Sequence, residues 1–82
     1  MVTLKNVTKT NNILSVDYFP EGNENDTGHI EFDIKSNKAI KTHYCKEDEN
    51  SFLKTYSHKA VLAIKKLVRK NEFPETYAFM WY

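Results

Sequence analysis

Two imidazoles, a carboxylate and a thiol fall on two short alternating stretches, His29 and Glu31 in one, His43 and Cys45 in the other. These are ligand types that hold Zn²⁺. They can meet only if the two stretches are neighbouring strands that share an apolar face. Aligning Ile30, Phe32 and Ile34 with Ile40, Thr42 and Tyr44 puts Glu31 opposite His43 and His29 near Cys45. No Cys-x-x-Cys or His-x-x-x-His spacing accompanies the set. The plainer reading is a wet sheet face with a Glu–His cross-strand pair, so no cofactor is expected.

Other chemistry finds less support. Cys45 and His43 lie two apart on one strand face, with nothing placed to orient a base or bind an oxyanion. In Tyr56-Ser57-His58, Tyr56 faces the core and His58 faces away. The segment Asn23-Glu24-Asn25-Asp26-Thr27-Gly28 has alternating oxygen ligands before a glycine, as calcium loops do. Its first position is Asn rather than Asp, Ile34 stands where the closing Glu belongs, and strands flank it, so it reads as a polar hairpin loop. Lys65, Lys66, Arg69 and Lys70 form a basic cluster that could touch phosphates. A solvated helix face that complements the macrodipole explains it more simply.

The elements that carry these residues follow from periodicity. Alternation predicts strands over 2–8, 13–19, 29–34 and 39–45. Val7 breaks the parity of Val2 and Leu4, which predicts a bulge near Asn6. In the fourth strand Ile40, Thr42 and Tyr44 take the core face. A helix is predicted over about 50–70, capped by Asp48, Asn50 or Ser51, with a broad apolar half that includes Phe52, Leu53, Tyr56, Ile64 and Leu67. Leu62 alone points outward, among His58, Lys65, Lys66 and Arg69. The tail reads as a fifth strand, with Tyr77, Phe79 and Trp81 on one face and Ala78, Met80 and Tyr82 on the other. The sum is one α+β domain over 1–82: an antiparallel ββββαβ meander with one long helix on one face. Connection rules give the order 4-3-2-1-5.

Size and charge narrow the function classes. At 82 residues the core is small, with little room for an enclosed pocket, and no enzymatic role is expected. The net charge is +1, and eleven of the twelve basic residues are Lys, which makes nucleic-acid binding a secondary reading. One cysteine excludes an internal disulfide. The opening residues lack the apolar run of a signal peptide and no stretch could span a bilayer, so a cytoplasmic protein with no membrane partner is expected.

The tail is the remaining signal. Five of the eleven aromatic residues lie in the last ten positions. An edge strand that is apolar on both faces is either covered or pairs with another chain. The expected contact surface is Met80, Trp81 and Tyr82 with the helix face around Leu62. Its partner would be another protein or a second copy in a homodimer.

Three segments carry a resemblance: Leu-Lys-Asn-Val-Thr-Lys at the start, Gly-His-Ile-Glu-Phe-Asp-Ile in the middle and Phe-Pro-Glu-Thr-Tyr-Ala-Phe-Met-Trp-Tyr at the end. Over its whole length the chain resembles short uncharacterised proteins of Gram-positive bacteria and their mobile elements. The resemblance implies no activity and no functional residues. The sequence therefore reads as a non-catalytic interaction module. A metal-binding protein using His29, Glu31, His43 and Cys45, or a nucleic-acid binder using the basic helix face, are the alternatives.

Overall fold

A computed structural model of the chain describes residues 1–80. Strands β1 (Val2–Thr10), β2 (Ile13–Pro20), β3 (Gly28–Asp33) and β4 (Lys38–His43) form an up-and-down meander. A short helix α1 (Lys46–Glu49), a long helix α2 (Thr55–Lys70) and strand β5 (Tyr77–Phe79) follow. The sheet is antiparallel in the order β4-β3-β2-β1-β5, as the connection rules predict. Helix α2 covers one face. Val2, Leu4, Leu14, Val16, Ile30 and Phe32 of the sheet meet Ala60, Ala63, Ile64 and Leu67 of α2 in a single core.

Asparagine supplies most of the tight backbone. Asn6, Asn11, Asn37 and Asn71 all have positive φ, a conformation that Asn tolerates better than most residues. Asn6 marks the bulge expected in β1, where Asn6 and Val7 together oppose Val16. Asn71 closes α2, its N–H reaching back to the Val68 carbonyl.

Two expectations need correction. The predicted helix over 50–70 is two helices, because the chain leaves the helical path at residues 50–54. Lys54 is left-handed, with φ 52°, and α2 begins only at the next residue. Projecting Phe52 and Leu53 onto the helix therefore misplaces them; they are 97% and 75% exposed. The second correction concerns β4. Its pairing with β3 slips between Glu31 and Phe32, leaving Ile40 as an extra residue on the β4 side. Ala39 takes the place opposite Phe32, while Ile40 is 56% exposed rather than in the core.

The tail forms β5 against β1, with Tyr77 and Phe79 packed on the core and Ala78 exposed. Met80 is 64% exposed. Trp81 and Tyr82 lie outside the described residues.

Candidate functional site

The β4 slip decides what the outer sheet face can do. It pairs His29 with His43 and Glu31 with Lys41, instead of Glu31 with His43. Cys45 is not on this face. It follows β4, is 1% exposed, and packs in the core beside Tyr18. Burial pushes its thiol pKa up, the opposite of what a metal ligand or nucleophile needs. Among the described residues, no three His, Cys, Asp or Glu side chains form a metal-holding group.

What the outer face does assemble is a carboxylate–imidazole–carboxylate row. His29 Nδ1 lies 2.7 Å from Asp17 Oδ1, and its Nε2 lies 3.5 Å from Glu31 Oε2. A carboxylate only accepts, so Nδ1 carries a proton directed at Asp17. The β1 bulge aims Asn6 at the same group, and Asn6 Nδ2 donates to Asp17 Oδ2 at 2.9 Å. Burial alone would raise the Asp17 pKa. The hydrogen bonds from Asn6 and His29, with the charges of His29 and Lys5, outweigh burial and lower it.

A lowered folded-state pKa stabilises the fold above the unfolded value, about pH 4 for Asp, and the gain is lost as pH falls through the folded value. Asp17→Asn is therefore expected to destabilise the protein at neutral pH. The gap from the parent should narrow as pH falls below about 4 and close once pH passes the lowered folded-state value, where the parent carboxyl is also neutral. Denaturant titrations across pH measure this; a gap that stays constant into acid would reject the assignment.

The second assembly lies at the same end of the strands but on the opposite face, since Tyr18 follows Asp17 in β2, and α1 and α2 join the sheet there. Asp48 is fully buried. Its Oδ2 accepts from the Tyr18 hydroxyl at 2.8 Å and from the Ser57 N–H at 2.6 Å, and its Oδ1 accepts from the Tyr56 N–H at 3.0 Å. The Tyr18 hydroxyl in turn accepts from the Cys45 N–H at 3.1 Å. Burial, with the neighbouring Asp48 carboxylate, pushes the Tyr18 pKa up and keeps the phenol protonated. Asp48 thus caps α2 from outside, serving its second and third residues across the break at 50–54. Asp26 does the same for α1, accepting from the Lys46 and Glu47 N–H groups. Both Asp26 oxygens are occupied in capping, which gives the polar loop a structural task.

Between α2 and the end of β4 the Asp48 tie leaves an open groove of about 250 Å³. Thr42, Tyr44, Leu53, Lys54, His58 and Val61 line it. Lys54 holds the left-handed turn at its edge: its Nζ donates to the Ser51 carbonyl at 2.8 Å and stands 5.4 Å from the centre of the Tyr44 ring. Phe52, the residue before Leu53, is almost fully exposed. One turn along α2 from His58, the outward Leu62 is 40% exposed. Lys66, Arg69 and Lys70 are exposed and Lys65 is half-buried, all on α2.

The structure thus brings His29 and Glu31 together and removes Cys45 from them. Leu62 lies on α2 and Met80 directly follows β5. Among the groove residues Val61 packs against the core, whereas Leu53, which its helical spacing assigns to the core, is 75% exposed. The signal against that assignment is Asn50-Ser51, two weak helix formers just before Phe52.

The chain matches no protein-family model, no curated protein and no solved structure. Among the described residues no helix is long and apolar enough to cross a membrane.

Proposed function

We propose that this is a non-catalytic protein-interaction domain of the cytoplasm, and that its contact surface is the groove between α2 and β4. The observation that carries the reading is the exposure of the neighbours Phe52 and Leu53, at 97% and 75%, with Leu53 lining a groove that Tyr44 and Val61 share. Exposed apolar residues scattered singly are ordinary; a contiguous set around a concavity marks a binding surface. The volume supports a side-chain anchor, since small-molecule sites run to roughly 300–1,000 Å³. Ser57 Oγ is committed to the Lys54 carbonyl, so the groove offers no free serine–histidine pair for chemistry. A single buried thiol suits a reducing compartment.

Selection from a random peptide library against the full chain tests the reading. Peptides should enrich on the parent and bind the doubly substituted Phe52→Ser, Leu53→Ser protein about tenfold more weakly, the loss of one well-packed anchor. Both side chains are exposed, so thermal unfolding should not change. No enrichment, or equal binding to both proteins, would sink the proposal. The alternative occupant is a second copy of the chain. Light scattering over a range of concentrations separates the two, because only self-association makes the mass concentration-dependent.

A further inference from the structure

We infer that the groove takes a protein segment that joins an apolar anchor to acidic residues. This rests on the groove reading above and adds the chemistry of the partner. Helix α2 contains Lys59, Lys65, Lys66, Arg69 and Lys70 and no Asp or Glu. The chain as a whole is nearly neutral, so positive charge is concentrated on this one element. Its placement follows the groove. His58 and Val61 line the cavity, and Leu62, Lys65 and Arg69 continue from them at helical spacings of three and four. Among the described residues, no carboxylate lines the groove.

The fold itself gives Lys65 and Lys66 little use. Lys65 with Arg69, and Lys66 with Lys70, are like-charged pairs four apart, which weaken a helix by a few tenths of a kcal/mol each. The macrodipole favours cations only in the last turn, so it accounts for Arg69 and Lys70 and leaves Lys65 and Lys66 unexplained. Among the described residues, no ion pair joins Lys65, Lys66, Arg69 or Lys70 to a carboxylate. An acidic segment running from the groove along α2 would relieve the repulsion while its apolar side chain fills the space between Tyr44, Leu53 and Val61.

The same observations favour a protein over other anions. A nucleic-acid surface would use several Arg residues and a stacking platform, and α2 has one Arg among its cations. A membrane would meet Glu47 and Glu49 of α1 just before the exposed Phe52 and Leu53, and anionic headgroups would be repelled there.

The test uses the full chain and the peptides enriched from the random library. Enriched sequences should carry Asp or Glu beside an apolar residue. Changing those acids to Asn and Gln should weaken binding roughly fivefold at low salt, as two or three exposed pairs would, and less at high salt. The Lys65→Gln, Arg69→Gln double variant should erase the difference between the acidic and amide peptides, yet still bind both through the groove. Enriched peptides that are neutral or basic, or whose amide forms bind equally well, overturn the acidic partner and leave the groove reading standing. A library that yields nothing overturns both. Displacement of the acidic peptide by phosphatidylserine vesicles or by single-stranded DNA at lower concentrations than free acidic peptide requires would reassign the surface to that anion and reject the inference.

Discussion

Asp48→Ala is expected to lower the thermal unfolding midpoint by at least about 12 °C, corresponding to a loss of about 3–5 kcal/mol. Three groups aim at one buried carboxylate: the Tyr18 hydroxyl and the N–H groups of Tyr56 and Ser57. Alanine leaves the two N–H groups without an acceptor and opens a space too enclosed for easy hydration. Unsatisfied buried donors cost about 1–3 kcal/mol each, against a total stability of about 5–15 kcal/mol for an ordinary domain. Asp48→Asn keeps one acceptor oxygen and should lose about half as much.

Cys45 provides an independent reporter, because its thiol is buried and its N–H ends the same network. A thiol reagent should label it slowly in the parent and much faster in the alanine variant. A midpoint shift under about 4 °C with unchanged labelling would mean that water replaces the carboxylate at little cost, and the capping role would fall.

Gly28→Ala should cost about 3 kcal/mol or more, the upper range for overpacking. A Cβ on Gly28 would lie 2.5 Å from Tyr18 Cε1, 2.6 Å from the His43 carbonyl oxygen and 2.7 Å from the Cys45 nitrogen. Two of these are backbone atoms that cannot rotate away, and the third belongs to the ring whose hydroxyl serves Asp48. Relief requires β3 and the end of β4 to separate. Gly22 is the internal control. It has φ of 78° and no atom within 4 Å of its hypothetical Cβ, so Gly22→Ala should cost only the left-handed strain of about 1 kcal/mol. Equal costs for the two variants, read by denaturant unfolding, would reject the close-approach argument.

The strands and the first bulge were legible because they rest on local alternation, and the strand order because short connections constrain it. Val7 visibly breaks the parity of Val2 and Leu4, and the structure puts the bulge there. The β4 bulge left no such mark. Ile40, Thr42 and Tyr44 keep perfect alternation with the polar residues between them, yet Ile40 is the extra residue and faces out. Hydrophobic alternation could not show this, because it does not report which residue stands opposite Phe32, and the structure puts Ala39 there.

The helix start failed for a related reason. Asp48 was recognised as a cap candidate, but it serves Tyr56 and Ser57 through space, eight and nine residues on, not in the usual local position. A one-dimensional wheel therefore ran through residues that are not helical. The groove was illegible for the same cause, since it exists only where β4 and α2 are brought together.

The extra residue in β4 also bears on how this protein behaves when crowded. That strand is an open margin of the sheet, and open margins are where copies stack into fibres. A fibre needs an uninterrupted run of evenly spaced donors and acceptors. Ile40 breaks the rhythm halfway along the strand, and Lys38 and Lys41 place charge on either side of the break. The irregularity that hid this strand's orientation thereby also blunts the margin against stacking, leaving an exposed isoleucine without an unbroken template for assembly.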